Sequence, residues 1–527
     1  MGRNKIKILF YTIRYLKPIQ IYFRIFYFVR NRFFKRSHNK VLLEKKTSLL
    51  WNDFLMNSNS YLGDNSFSFI NFSKDFKKNI DWDYESYGKL WSFNLNYFDF
   101  LNQSNMNIED GLKLIKDYIS KDEVLKDGKA SYPISLRGIN WVKFLAKHNL
   151  SDKDIDQNLY NHYQILFFNP EYHLLGNHLL ENGFSFLFGA YYFRDNVLYK
   201  KGNKILKNEL QEQIMNDGAH FELSPMYHQI MLFRVLDSIQ LIRLNNWKDD
   251  DLLQFLENIA SKMLSWLKEV TFNNGDIPMV NDSAFGIAPL TEELLNYGKH
   301  LGLEINKVKL FDSGYRMIKN EKYELFMDVG DIGAPYQPAH VHSDTFNFVL
   351  YIKNQPFIVD TGVSTYEKNK VRQLERGTSS HNTVIINNQE QTQVWGGFRV
   401  AKRAKIISLE ETNNTVNSTH NGYENLDISH TRNFLTKKNS IIIKDHITKQ
   451  ISHKQIANFH FHPSITDVTI DNSSVFIENM KIEISFKGKN IFIEKEDYEF
   501  AVGFNKTKKA IKLKVFFERN LETIINI

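Results

Sequence analysis

The 527-residue sequence predicts two domains, a helical one followed by an antiparallel β-sandwich, and three observations carry that expectation. The length exceeds what a single hydrophobic core commonly organises. From about residue 50 to 310 apolar residues recur at helical spacing, and near residue 320 the pattern changes to strict alternation and β-branched runs. A composition of 42% hydrophobic and 24% charged residues is that of a folded globular chain.

The helical part reads as amphipathic segments of similar length joined by short polar connectors: "GLKLIKDYIS", "GINWVKFLAKHNL", "HLLENGFSFLFGAYYF", "SPMYHQIMLFRVLDSIQLIRL" and "LLQFLENIASKMLSWLKEV". Paired helices of this kind fit an α/α barrel or toroid, and periodicity alone equally allows a bundle or a solenoid. The β part contains "FNFVLYI", "PFIVDTG", "NTVIIN", "NSIIIKDHI", "KIEISF", "NIFIEK" and "AIKLKVFFE", separated by turn-forming stretches such as "KNQP" and "FKGKN" at the spacing of a sandwich. The expected divisions are an arm over 1–45, a helical domain over 46–315 and a β-sandwich over 316–527. No repeat or long Pro/Gly linker separates the halves, so they are expected to pack rigidly.

Charge sets the arm apart. Residues 1–40 hold 11 Lys/Arg and no Asp or Glu, so a net charge of +7 leaves the body at 7 − 11 = −4. Cations interleave with Phe, Tyr and Ile, giving neither a membrane-spanning run nor the apolar core and small-residue cleavage site of a secretory signal. Localisation is left open, and a cytoplasmic or inner-membrane-associated place is compatible with these features. Pro18 should split the arm into two helices. Two readings stand: interfacial helices contacting anionic lipid through residues 1–40, or aromatics docked on the body with arginines facing water. With the basic residues confined to one arm and no accompanying motif, no nucleic-acid partner is expected. The absence of cysteine excludes disulfides and thiolate metal sites, leaving His, Asp and Glu as metal ligands.

"HVHSD" places His340 and His342 on one face of an expected extended segment. Downstream, Asp360 in "FIVDTG" and His381 in "RGTSSHNTV" lie at expected strand ends, and imidazole with carboxylate suits zinc. The H-x-H-x-D run also occurs in metallo-hydrolases of the β-lactamase type, but Thr345 stands where that run would continue with histidine. In the helical half "GNHLLENG" puts Asn177 and His178 at an expected helix start. "DGAHFELSPMYHQ" offers Glu222, Tyr227 and His228, with Ser224 as N-cap of a Pro-initiated helix. "LWSFNLNYFDFL" supplies Trp91, Asn94 and Tyr97, and "YPISLRGINW" supplies Arg137, Asn140 and Trp141 at i, i+3, i+4. Aromatic platforms beside amide and guanidinium groups suit carboxylated sugars, and the same spacing equally describes a core stripe.

These runs, with "HVHSDTFNFVLYIKNQPFIVDTGVSTY", occur over roughly residues 85–400 in an order that resembles the heparinase II/III-like polysaccharide lyases, a family that includes oligoalginate lyases. The resemblance implies an incomplete α/α toroid, an antiparallel β-sandwich, a cleft between them, and β-elimination on a uronic-acid-containing acidic polysaccharide. It implies that Asn177 and His178 meet the uronate carboxylate, that Tyr227 donates a proton to the leaving oxygen, and that His340 is base or carboxylate partner. His342, Asp360 and His381 match the family's ligands for a chiefly structural zinc, and Tyr366 and Arg376 become substrate contacts. The rival readings are a non-catalytic glycan-binding protein on the same fold and a zinc-dependent hydrolase.

Overall fold

A computed structural model of the chain describes residues 3–33, 40–42, 48–248, 251–449 and 454–527. The helical half is a two-layer arrangement. Helices Lys89–Tyr97, Ser131–Lys147, Gly176–Phe193, Pro225–Asn245 and Thr291–His300 pack one on the next as an inner layer, and those between them in sequence lie outside. This layering is the incomplete α/α toroid, and it settles what periodicity alone left open.

Side chains explain the layering. Gly176–Phe193 is buried on every face except at His178, as expected for a helix apolar all round. The outer helix Ile108–Lys121 buries only a stripe that includes Leu114, Ile115 and Tyr118, and Asn107 caps it by accepting from the Asp110 N–H. A small antiparallel sheet, Tyr61–Gly63, Ser66–Phe69 and Phe72–Asp75, precedes the toroid and buries Phe67 and Phe69 against Trp91 and Phe100.

The inner layer matters because of where its helices begin. Tyr132, Asn177, His178 and Tyr227 each lie within the first three residues of an inner helix. The chain reaches two of these starts through Leu175 (φ 63°) and Leu223 (φ 53°). Gly176 is also left-handed, and a Cβ there would stand 2.7 Å from Glu222 Oε1, so only glycine fits. Ser224 caps the Pro225–Asn245 helix by accepting from the Tyr227 N–H, with Pro225 in its first turn.

The β domain is a sandwich. A four-stranded antiparallel sheet (Tyr315–Lys319, Tyr323–Asp328, Phe348–Ile352, Gln355–Ile358) faces a ten-stranded one, whose longest pair is Ile482–Gly503 with Lys506–Asn526. Between them lies a core that includes Leu325, Phe348, Phe434, Phe459 and Val515. Trp266 and Phe272 of the helical half pack with Tyr315, Val349 and Tyr351 of the smaller sheet, and Phe272 stacks on Tyr351 at 3.9 Å. The "HVHSD" segment is not in a strand: it is irregular backbone leading to Phe348–Ile352, and Phe346 turns it with φ 69°.

The arm forms two helices, Arg3–Ile13 and Pro18–Phe33, broken before Pro18. It docks on both halves. Gln20 and Tyr27 donate to the carbonyls of Leu174 and Pro170, Thr12 accepts from Trp395, and Arg403 lies 3.6 Å over the Tyr15 ring.

Candidate active site

The inner-helix starts and the irregular β-domain loops enclose a cavity of about 810 Å³. The helical half contributes Asn94, Tyr97, Tyr132, Asn177, His178, Tyr227 and the Arg234–Glu181 pair. The β domain contributes Gln337, His340, Tyr366, Phe398 and Phe504. With three helix N-termini at one end, aligned peptide dipoles favour an anion there.

His340 and Tyr227 are in face contact, their ring centroids 3.9 Å apart and inclined 33°. His340 Nδ1 lies 2.9 Å from Asp282 Oδ2, and its Nε2 lies 3.6 Å from Glu222 Oε2. Asp282 is the hub. It is fully buried, its two oxygens accept from both Arg372 terminal nitrogens, and His342 Nε2 lies 2.9 Å from Oδ1. Burial pushes this carboxyl up, but the Arg372 guanidinium, with His340 and His342, holds it well below the usual carboxylate range. A permanent carboxylate needs donors, so His340 presents Nδ1–H to it, with Nε2 at the opposite edge of the ring.

Tyr227 Oη is 3.4 Å from Tyr366 Oη, and burial raises the Tyr227 phenol above its ordinary value of 10.0. At neutral pH it therefore keeps its proton. His178 is about a third exposed, packs against Tyr132 and bonds Glu171 at 3.1 Å. Burial lowers its imidazole, and Glu171, reinforced by Glu222 and Glu181, more than offsets this and raises it. Asn177 is fixed by its backbone N–H, which donates to Glu222 Oε1 at 3.0 Å. Glu222 is buried outside the lining, so it braces Asn177 and faces His340 rather than meeting a ligand.

Besides Glu222, four expected substrate contacts lie outside the lining. Trp91 is buried, donates to the Phe72 carbonyl and packs among Phe69, Tyr84 and Tyr87. Arg137 is fully buried, donating to the carbonyls of Asn96 and Gly128 with its guanidinium over Tyr118. Trp141 packs edge-on to Phe98 and Tyr118 in the same core. Arg376 clamps the carbonyls of Val341 and Gly397, holding the histidine loop in shape from behind. Asn94, Tyr97 and Tyr366 do line the cleft.

His342, Asp360 and His381 sit together, fully buried behind the cleft wall. The His342 and His381 rings are 5.3 Å apart, and His381 Nδ1 bonds Asp360 Oδ2 at 2.7 Å. Two buried nitrogens, His342 Nδ1 and His381 Nε2, have no hydrogen-bond partner, which leaves them open to a metal. Asp360 also accepts from Asn347 and the Gly362 N–H. The donor chemistry suits zinc, but among the described residues no three His, Asp or Glu side chains converge as a metal-holding group.

Family models match nearly the whole chain: the heparinase II/III N-terminus over residues 26–297 and the heparinase II/III-like C-terminal region over 306–523. The chain belongs to the heparinase II/III family. Among its relatives are heparin-sulfate lyases of Pedobacter heparinus (24% identical, aligning 54% of this chain and 46% of the relative) and Bacteroides stercoris (23% identical, 67% and 56%). The chain spans about half the length of these curated relatives. A crystal structure of heparinase III shares its fold with a TM-score of 0.69 at 17% identity, covering 98% of this chain and 93% of that one. A heparan sulfate lyase structure from Pedobacter heparinus follows at 0.57 and 15%, covering 88% and 81%. Asp282 and Arg372, the centre of this family member's site, escaped the sequence reading: neither "VNDSAFG" nor "NKVRQLERG" carries a local signal.

Proposed function

We propose that this chain is a polysaccharide lyase that cleaves an acidic, uronic-acid-containing glycan by β-elimination, serving the metabolism of a capsule or O-antigen-like surface polysaccharide. The observation that carries the reading is the stacked Tyr227–His340 pair on the cleft wall, a protonated phenol against an imidazole fixed by Asp282. The reaction needs three things: the uronate charge neutralised, the C5 proton removed, and a proton given to the departing O4. Asn177, His178 and the helix N-termini receive the carboxylate, which acidifies C5–H. His340 Nε2 takes the C5 proton, the C–H electron pair becomes the C4–C5 double bond, the C4–O4 bond breaks, and Tyr227 protonates O4. Imidazolium then lies against phenolate, and their opposite charges stabilise each other until the proton returns.

Zinc, if bound, would be held by His342, Asp360 and His381 and would tie the histidine loop to the strand ends. None of the three lines the cleft, so a zinc-hydrolase reading finds no support in their placement. Elemental analysis of the purified protein tests this part: stoichiometric zinc, and a Tm lowered by chelator, are expected.

The function is tested by incubating the protein with alginate, heparan sulfate, hyaluronan, chondroitin and bacterial surface polysaccharides while following the ultraviolet absorbance of an unsaturated uronate. A rise on one of them is expected. Silence on all, with tight binding to one, would replace the lyase by a non-catalytic glycan binder.

A further inference from the structure

Both arm helices turn an apolar face to solvent. A helix resting on a protein surface ordinarily puts its apolar stripe inward. In Pro18–Phe33 the inward positions include Gln20 and Arg30, both buried: Gln20 donates to the Leu174 carbonyl at 3.0 Å and Arg30 to the Phe168 carbonyl at 2.5 Å. The opposite face is Ile21, Tyr22, Ile25, Phe28, Val29 and Phe33, all exposed, with Phe28 at 71% and Ile25 at 59%. In Arg3–Ile13 the inward positions are Ile8, Tyr11 and Thr12, and the outward ones are Ile6, Leu9, Phe10 and Ile13, with Phe10 63% exposed. Scattered exposed apolar residues are ordinary, but two successive helices with continuous outward apolar faces are an interaction surface.

Charge identifies what covers it. The first 40 residues carry 11 Lys/Arg and no acid. Exposed Lys7, Arg24 and Arg32 flank or punctuate the apolar faces. A second copy would bring like charge against like charge, whereas an anionic surface would be attracted. No described helix is long and apolar enough to cross a membrane, so the faces suit a position in the interface plane. We propose that the arm docks this protein onto an anionic lipid bilayer, with the outward faces of Arg3–Ile13 and Pro18–Phe33 in the headgroup region. The polar inward contacts of Gln20 and Arg30 keep the helices attached to the body, and Leu174, whose carbonyl Gln20 holds, lines the cleft. Docking therefore fixes one rim of the cleft close to the membrane.

The test is co-sedimentation of the full-length protein with vesicles of phosphatidylcholine alone and of phosphatidylcholine with phosphatidylglycerol, read independently of any lyase activity. Binding to the anionic vesicles that weakens with added salt is expected. I25S/F28S should lower that binding at least about tenfold, because two inserted apolar side chains are lost. K7Q/R32Q should lower it by a smaller factor. All four residues are exposed, so an unchanged Tm shows that the variants fold. Absence of sedimentation with either vesicle, or binding indifferent to I25S/F28S, overturns the proposal. So does a dimer in light scattering that I25S/F28S dissolves, which would assign the faces to a second copy.

Discussion

The two walls of the cleft are built on different principles. On the helical wall each functional group is a local product: a glycine or a capped Ser-Pro turn starts an inner helix, and Asn177, His178 or Tyr227 occupies its first turn. On the β wall the group is a product of assembly, since His340 owes its orientation to Asp282, 58 residues away, and Asp282 owes its charge to Arg372, 90 residues further on. A local wall tolerates loss of one group at the cost of that group's task. An assembled wall fails as a unit, because each member leaves a buried charge behind.

Arg372→Met sharpens this contrast most. It strands the Asp282 carboxylate, and removing one partner of a buried pair costs about 3–5 kcal/mol. A large fall in Tm together with lost turnover is expected, and a stable, active R372M would show that the β wall is not organised around Asp282. Arg137→Met comes next. It removes charge-assisted bonds to two buried carbonyls, each worth about 1.5–3 kcal/mol, so chemical denaturation should show reduced stability while KM of the surviving enzyme stays unchanged. A raised KM with normal stability would return Arg137 to the cleft.

The smallest effect concerns His178. Its folded pKa is raised above 6.5, so the imidazolium persists above the pH at which a free histidine discharges. Its contribution to uronate binding should be complete below that pH and disappear as pH rises through the raised value, which KM against pH would record. The same sign applies to stability: what the His178–Glu171 contact adds is present below the unfolded value and lost as pH rises through the folded one. His178→Asn should flatten the KM profile and raise KM about tenfold at neutral pH. An unaltered profile would remove His178 from carboxylate recognition.

The same contrast explains what could be read in the sequence. The two domains follow from a change of hydrophobic period, and Asn177, His178 and Tyr227 stand out because helix starts have their own residue code. Pro18 likewise splits the arm as its missing N–H requires. Arg137 and Trp141 mislead because a cation and an aromatic at i, i+4 describe a core stripe as well as a sugar platform. Only the position of the Asn96 and Gly128 carbonyls decides which it is. Asp282 and Arg372 were illegible because their meaning lies entirely in contacts between distant loops.

In the proposed elimination the Tyr227 phenol, stacked on His340, supplies the proton to the leaving sugar. The most direct test of this role is the rate at which unsaturated uronate appears with Tyr227→Phe and with the wild type, on the glycan that the wild type cleaves, alongside glycan affinity measured by calorimetry. A loss of at least about 100-fold in rate is expected with affinity retained, since the ring still stacks on His340. A Y227F rate equal to that of the wild type would contradict this role.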